Sequence, residues 1–229
     1  MSLQGLDVLP RAFFDRPVLT VAPALLGAVL AHETGDGLVA AEIVEVEAYR
    51  GLSDPASHAF RGKTSRNAVM FGEAGHAYVY FTYGMHFCVN LVCQRPGEPA
   101  AVLLRAGRIV AGAELAAARR GVSRGASSPD GVSWRGRAAE RELARGPARL
   151  CQALAIERAQ NGADVSDPSS LLRVLAPAGF SGLAAGAISS GPRVGVRLGA
   201  EDPWRYWVEG DPAVSVYRPH VPKRRTPLA

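Results

Sequence analysis

The length, composition and charge of the chain already narrow its possible classes. Its 229 residues, 48% of them hydrophobic, can fill a substantial core, and we expect residues 1–229 to form a single domain. The formal net charge of +5 favours a polyanionic partner such as nucleic acid, although a charge of this modest size is also compatible with a role in solubility alone. Only Lys63 and Lys223 are lysines, which argues against an enzyme that works through a Schiff base.

Cysteine usage and the N-terminal sequence indicate the compartment. Cys88, Cys93 and Cys151 are odd in number and do not make a disulfide framework, so we expect buried thiols in a reducing environment. The sequence shows no N-terminal basic segment followed by an apolar run, as in a signal peptide, and no apolar run long enough to span a bilayer. We therefore expect a cytoplasmic protein that is not exported.

The N-terminal stretch predicts a helix that leads into a strand. Asp15 is placed to cap a helix beginning at Pro17, and apolar residues at helical spacing continue from Val21 to Leu30. The polar run from His32 to Gly37 predicts a turn.

The stretch from Leu38 to Tyr49 predicts the strand around which the chain is organised. Side chains alternate between the faces of a strand, so Glu45, Glu47 and Tyr49 share one face, and Val44 and the apolar residues after it share the other. The plain interpretation is a solvated polar face behind a packed one. Placing two carboxylates and an aromatic ring on one face lowers the stability of the fold, because like charges repel and buried carboxylates lose solvation. Stability alone therefore does not explain the arrangement. The polar face is therefore a candidate site.

A polar, basic loop over residues 56–67 follows this strand. It holds one histidine, His58, which by itself is typical of a solvated loop. Arg61, Lys63 and Arg66 add three cations beside hydroxyl and amide side chains. Phosphates are contacted by such groups, so this loop is a candidate phosphate-contacting surface.

Residues His76–Cys93 predict a β-hairpin that is rich in tyrosine. Aromatic side chains at this density, next to carboxylates, favour a slot for a flat ligand. Tyr83-Gly84 suits the tip, where the ring of Tyr83 would be exposed. A two-residue tip would place Asn90 on the face opposite Tyr80, whereas one more residue or a bulge would bring the two together. The sequence leaves both registers open.

The second half of the chain predicts short strands and helices. Arg105 follows a buried apolar run, where its charge needs a partner; the plain interpretation is a surface ion pair. Arg149 lies in the first turn of a helix that begins at Pro147, a position suited to an anion. The predicted elements are strands at 100–106, 171–175, 193–197, 206–208 and 214–216, helices at 110–120, 137–145 and 147–156, a flexible loop at 121–136 and a disordered basic tail at 219–229.

A metal site is only weakly indicated. His76, His86, Cys88 and Cys93 lie close together in sequence, but they contain no CxxC pair, and small residues alternating along a hairpin are more typical of packing. We expect neither a metal ion nor another cofactor.

Six motifs, collinear over nearly the whole chain, resemble those of the alkyladenine (3-methyladenine) DNA glycosylase family. They are I-V-E-V-E-A-Y at 43–49, the histidine at 58, Y-V-Y-F-T-Y-G-M-H-F-C-V-N at 78–90, V-L-L-R-A at 102–106, G-P-A-R-L-C-Q-A-L at 146–154 and R-V-G-V at 193–196. The resemblance implies an α+β fold: a single mixed domain with a curved antiparallel sheet, surrounding helices and a protruding β-hairpin. It also implies a monomer that binds the minor groove of double-stranded DNA, in the cytoplasm of a bacterium and at its nucleoid.

The implied activity is that of a monofunctional DNA glycosylase without lyase activity. Such an enzyme flips alkylated or deaminated purines, of the 3-methyladenine, hypoxanthine and ethenoadenine class, out of duplex DNA and hydrolyses the N-glycosidic bond, which initiates base excision repair. Glu47 would be the general base that activates water, with help from Arg105. The flipped base would lie among Tyr49, His58, Tyr80 and Asn90, and Tyr83 would fill its place in the duplex. The side chains implied to contact the DNA backbone are Arg61, Lys63, Arg66 and Arg149.

Two other functions are compatible with the same residues. A non-enzymatic damage-recognition module would use the same pocket and wedge, with Glu47 serving only the structure. A nucleoside hydrolase would act on free nucleosides, and its affinity would be nearly indifferent to salt, whereas a DNA binder weakens as salt rises. His86 stands where some family members carry an aromatic residue, so groove contacts at the hairpin are left open.

Overall fold

One antiparallel β-sheet dominates the protein. The computed structural model describes residues 3–82, 84–122 and 137–220, without the side chains of residues 137–139. Within these ranges the chain forms nine strands, all paired antiparallel, and five short α-helices, so the expected α+β class is confirmed. The strands are β1 (Leu6–Val8), β2 (Val29–Thr34), β3 (Gly37–Tyr49), β4 (Ala77–Thr82), β5 (His86–Cys93), β6 (Ala100–Ala111), β7 (Leu172–Pro177), β8 (Ile188–Gly191) and β9 (Arg205–Val208). The helices are α1 (Arg11–Phe14), α2 (Val18–Ala24), α3 (Ala113–Arg119), α4 (Arg137–Glu142) and α5 (Pro147–Ala153).

Strand β3 lies at the centre of the sheet. The strand order is β1-β7-β2-β3-β6-β5-β4, and β9, itself paired with β8, joins β3 beyond the end of β2. Its 13 residues include several β-branched side chains and no proline, which favours one long extended segment. Neighbours on both edges satisfy its backbone, so β3 is a rigid support for its side chains.

Both faces of β3 are covered. Register shifts in its pairing with β6 interrupt the alternation, and Val44 packs with Ala106 and Ala213, apart from the main core that Val46 joins. The prediction that Val44 and Val46 share a face is therefore wrong. The interpretation of the polar face as solvated is also wrong, because Glu45 and Glu47 are both 0% exposed.

The β4–β5 hairpin has the longer of the two connections that the sequence left open. Thr82 pairs with His86, and Tyr78 pairs with Asn90 in the same register. Asn90 is thereby brought to the face of the hairpin that carries Tyr80. The predicted tip residue Tyr83 lies outside the described residues.

The N-terminal predictions fail in two places. Helix α2 has Pro17 at its N-cap and no side-chain cap, so the predicted Asp15 cap is wrong. The predicted helix to Leu30 is wrong as well, because α2 ends at Ala24 and β2 begins at Val29. A continuous apolar run fits a buried strand as well as a helix, and periodicity alone does not separate them. His32, predicted in a turn, is a buried residue of β2 whose Nδ1 lies 2.7 Å from the carbonyl oxygen of Leu154.

The second half of the chain follows the predictions more closely. Strands β7 and β9 and helices α4 and α5 form where expected, although β6 runs on to Ala111 and delays α3 to Ala113. Segments 193–197 and 214–216 are not strands. Their backbone N–H groups bind side chains instead, since Val194 donates to Glu47 and Ser215 donates to Glu45. Strands β1 and β8 were not predicted.

Several remaining expectations concern burial and the chain's termini. All three cysteines are buried and free, as expected. Within the described ranges, no helix combines the length and the apolar character needed to cross a membrane. The predicted loop at 121–136 and the tail at 219–229 lie mostly outside the described residues.

Candidate active site

Glu47 lies at the centre of the candidate site and is surrounded by hydrogen-bond donors. Its Oε1 accepts a hydrogen bond of 2.7 Å from the backbone N–H of Val194 and lies 3.2 Å from Nη1 of Arg105. Its Oε2 accepts a hydrogen bond of 2.8 Å from the hydroxyl of Tyr49, which follows two residues later on β3. The carboxylate is thus fixed between the sheet and the segment that contains Val194.

Glu45 has a different environment, although it lies on the same strand. Its Oε1 accepts from Nε of Arg105 at 2.8 Å, from Nε of Arg205 at 2.7 Å and from the hydroxyl of Ser215 at 2.8 Å, and its Oε2 accepts from the backbone N–H of Ser215 at 2.7 Å. Burial opposes its ionisation, but the charges of Arg105 and Arg205 and these hydrogen bonds outweigh that effect, so the pKa of Glu45 is lowered. These bonds use its roughly four acceptor positions, which indicates a structural role.

Arg105 connects the two carboxylates. Besides the contacts to Glu45 and Glu47, it donates to the hydroxyl of Ser215 at 3.3 Å, and it is only 7% exposed. The interpretation as a surface ion pair is therefore wrong. A guanidinium shared by two buried carboxylates holds both of them against one side of the sheet.

A small cavity opens beside Glu47, and four predicted pocket residues line it. Its empty volume is about 340 Å³, open solvent at the mouth included, so the space that the protein itself encloses is smaller. Tyr49 forms part of the wall and connects the cavity to the carboxylate through its hydroxyl. The full lining is Tyr49, Ala56, Ser57, His58, Met70, Tyr78, Tyr80 and Asn90.

Aromatic rings dominate the cavity wall. Tyr78 and Tyr80 have ring centroids 5.4 Å apart at an interplanar angle of 31°, and His58 meets Tyr80 edge-to-face at 4.5 Å. A planar ligand can lie between His58 and Tyr80 only after one of these rings moves, because the two are already in contact. Tyr78 was not singled out by the sequence, although alternation along β4 places it on the face of Tyr80.

The surroundings of His58 keep its ring neutral. Burial lowers the pKa of His58, and the charge of Arg66 lowers it further, so the ring is neutral at neutral pH. Its Nδ1 lies 3.0 Å from the hydroxyl of Tyr78, and either group can be the donor in this contact. Burial raises the pKa of Tyr78 and thus keeps its hydroxyl protonated.

Asn90 is held in one orientation at the floor of the cavity. Its Nδ2 donates to the carbonyl oxygen of Tyr78 at 3.1 Å, and the residue is 5% exposed. A carbonyl accepts only from a donor, so the amide nitrogen faces Tyr78. The amide therefore offers a ligand a fixed arrangement of donor and acceptor.

The four predicted backbone-contacting cations lie in different places. Arg61 and Lys63 are exposed on the loop at 56–67. Arg66 is exposed too, but its guanidinium lies 5.6 Å from the ring centroid of Tyr80 and thus next to the cavity wall. Arg149 is half-buried in the first turn of α5 and forms an ion pair with Glu142, away from the cavity lining.

Sequence reasoning missed the segment that covers Glu47. The sequence analysis assigned no function to the motif R-V-G-V at 193–196. In the structure, the backbone of Val194 contacts Glu47 and the guanidinium of Arg193 contacts Asp54. These residues are about 140 positions apart in the chain, and nothing in their local sequence indicates that they meet. In the part of the chain that the structure describes, no group of three or more His, Cys, Asp or Glu side chains is arranged to hold a metal ion.

Comparison of the sequence with known proteins gives matches to one family. The methylpurine-DNA glycosylase family matches residues 12–212. A protein of Streptomyces avermitilis, named "Putative 3-methyladenine DNA glycosylase", is 50% identical over 220 residues, which cover 95% of each chain. Proteins with the same name are 48% identical in Frankia casuarinae, over 90% of this chain and 92% of the relative, and 50% identical in Leifsonia xyli subsp. xyli, over 92% of each.

Proposed function

Because the chain belongs to the methylpurine-DNA glycosylase family and is a DNA glycosylase, we propose that it hydrolyses the N-glycosidic bond of alkylated or deaminated purines with a water molecule activated by Glu47. The substrates in this proposal are 3-methyladenine, hypoxanthine and ethenoadenine in duplex DNA, and the product, an abasic site, is the starting point of base excision repair. The enzyme acts as a monomer without lyase activity and approaches from the minor groove.

One observation carries the assignment of the general base. Glu47 is fully buried, yet it reaches the cavity through the hydroxyl of Tyr49, whose ring forms part of the cavity wall. A base that lies against this ring places its sugar next to the carboxylate. Glu45 is equally buried, but its hydrogen bonds to two guanidinium groups and to Ser215 leave little capacity for water.

The acceptor positions of Glu47 support this role. An ionised carboxylate accepts roughly four hydrogen bonds, and among the described residues Val194 and Arg105 face Oε1 while Tyr49 faces Oε2. A position on Oε2 remains for water. This water gives a proton to Glu47 as its oxygen bonds to the sugar carbon, and the purine leaves with the electrons of the broken C–N bond. Arg105 orients the carboxylate and the water, since its Nη1 lies on Glu47 while its Nε is held by Glu45.

The cavity walls select the base. A methylated purine such as 3-methyladenine is a cation and a good leaving group, and the electron-rich rings of Tyr49, Tyr78 and Tyr80 attract it, whereas the neutral hypoxanthine and ethenoadenine only stack on these rings. The neutral His58 adds no competing charge, and its ring swings away from Tyr80 to admit the base. Asn90 excludes guanine by meeting its exocyclic amine, because its amide is fixed by the carbonyl of Tyr78.

The exposed cations bind the duplex around the flipped nucleotide. Arg61 and Lys63 contact phosphates, and Arg66 does so from the rim of the cavity. Flipping costs a few kcal/mol of lost stacking, and Tyr83 offsets part of this cost by entering the vacated space. Arg149 keeps its ion pair with Glu142 and adds a more distant phosphate contact.

The test is a panel of duplexes that each carry one lesion, incubated with the wild-type enzyme and with Glu47→Gln and then cleaved at abasic sites by alkali. Strand breaks at the lesion with the wild type, and none with Glu47→Gln despite retained binding, support the proposal. Equal cleavage by both proteins would remove Glu47 from the mechanism. Release of base from free nucleosides at a comparable rate, with affinity indifferent to salt, would point to a nucleoside hydrolase instead.

A further inference from the structure

A buried ion pair between Arg193 and Asp54 connects the two sides of the candidate site. Nη1 of Arg193 donates to Oδ2 of Asp54 at 2.6 Å and Nη2 donates to Oδ1 at 3.0 Å, a two-point contact in which both side chains are 0% exposed. Neither residue lines the cavity. A buried pair of this kind is costly to desolvate and is a weak source of stability, so its placement calls for another explanation.

The guanidinium of Arg193 also fixes the strand that carries Glu47. It donates to the carbonyl oxygen of Ala48 at 3.1 Å, the residue between Glu47 and Tyr49 on β3. Its Cζ lies over the ring of Tyr49, 4.7 Å from the centroid, and over the ring of Trp204, 4.9 Å from the centroid, so the guanidinium packs on both rings. A further bond of 3.3 Å to the carbonyl oxygen of Gly199 closes its own loop. Four of the five N–H groups of the side chain are thereby used.

Asp54 is equally saturated on the opposite side. Besides Arg193, it accepts from the backbone N–H of Arg50 at 3.1 Å and from that of Ala56 at 3.0 Å. These bonds fix the turn that leads from β3 to Ser57 and His58 on the cavity wall. Burial opposes the charge of Arg193, but the hydrogen bonds and charge of Asp54 outweigh this effect, so the pKa of Arg193 is raised.

We propose that Arg193 is a positioning residue for Glu47, because it holds both neutral donors of that carboxylate: the hydroxyl of Tyr49 through stacking, and the N–H of Val194 through the adjacent peptide. This inference rests on the proposed role of Glu47 as the general base. Arg193 and Asp54 together form a clamp that ties the base-binding wall to the catalytic carboxylate. Neither residue touches the substrate.

If Arg193 and Asp54 act as this clamp, their substitution has an effect on the excision rate that a purely structural ion pair would not have. In Arg193→Met the guanidinium is lost, the loop at 193–199 is released and Glu47 loses the Val194 donor. Excision under single-turnover conditions falls by about 100-fold, the lower end of what a general base contributes, while affinity for a lesion-containing duplex stays within about threefold.

Two further variants and a control make the test sharp. Arg193→Lys keeps the charge but loses the planar two-point contact and the stacking, so its excision rate lies between those of the wild type and Arg193→Met. Asp54→Asn slows excision at retained affinity, as Arg193→Met does. Arg11→Met removes another arginine–aspartate pair, with Asp164, remote from the cavity lining, and leaves excision unchanged.

Each outcome decides the proposal. It is overturned if folded Arg193→Met and Asp54→Asn excise within twofold of the wild type, if binding falls as much as the rate, or if both variants unfold, since the pair is then merely structural. The wild type and Glu47→Gln are measured in the same series. The proposed function would be refuted if the wild type left every lesion intact or if Glu47→Gln were active. Only the clamp would be refuted if the wild type were active, Glu47→Gln were inactive and the clamp variants were unaffected.

Discussion

Replacing Glu47 by glutamine separates catalysis from stability at this site. The substitution keeps the shape of the side chain and removes its charge. The amide oxygen of glutamine can accept from Val194 and Arg105, and its NH₂ group can donate to the hydroxyl of Tyr49, which rotates to accept. Binding of damaged DNA is therefore retained, because the rings of the cavity keep their places.

The expected magnitudes follow from these contacts. Loss of a general base slows excision by about 10²–10⁴-fold, which corresponds to about 3–5 kcal/mol of transition-state stabilisation. Stranding a buried charge costs about 3–5 kcal/mol, but Arg105 keeps its 2.8 Å contact with Glu45. The free energy of unfolding of Glu47→Gln is therefore expected to fall by less, about 1–3 kcal/mol.

Three measurements on one preparation check this reasoning. Single-turnover excision from an ethenoadenine duplex gives the rate, a mobility-shift titration gives the affinity, and thermal or urea unfolding gives the stability. Glu42→Gln is the matched control on the same strand: its partner Arg108 is largely exposed, and Asp211 also binds that arginine, so neither rate nor stability should change appreciably. A Glu47→Gln enzyme that retains the wild-type rate would refute the assignment. Loss of rate together with loss of the fold would show that the residue is structural.

Three further outcomes follow from the same contacts. Glu45→Gln leaves the buried guanidinium of Arg205 without its carboxylate and removes one of the two carboxylates that contact Arg105, so it should lower the free energy of unfolding by about 3–5 kcal/mol, more than Glu47→Gln; a smaller loss in urea unfolding would contradict this. Because the pKa of Glu45 is lowered in the folded protein, the ionised carboxylate contributes stability at pH values above its ordinary pKa of 4.5, and this contribution is lost as the pH falls through the folded-state pKa. Below pH 4.5, the melting temperature of the wild type should therefore fall with pH more steeply than that of Glu45→Gln. The double variant Arg61→Ala, Lys63→Ala should weaken DNA binding and reduce the salt slope by about 0.9 per lost phosphate contact, with the single-turnover rate at saturation unchanged, and an unaltered slope would remove both side chains from the interface.

The two glutamates of β3 show how one strand supports two functions. Glu45 faces Arg205 and Ser215, which close over it, whereas Glu47 faces Tyr49 and the cavity. Only Val46 separates them on the strand, so the difference arises from what the later parts of the chain bring to each position. A carboxylate saturated by donors is an anchor, and one with a position left for water can act as a base.

The sequence by itself determined the family, the α+β class, the central strand and four of the eight residues that line the cavity. Local information is sufficient for these, because a long β-branched run favours a strand and collinear motifs carry the resemblance. It did not determine the hairpin register, the strand β2 hidden in an apolar run, or the burial of both glutamates. The ion pair of Arg193 with Asp54 and the bond from Val194 to Glu47 depend on the tertiary structure alone. They join segments about 140 residues apart, and such contacts form only when the sheet and the loops over it pack together, since no short-range pattern specifies which distant charge will satisfy a buried one.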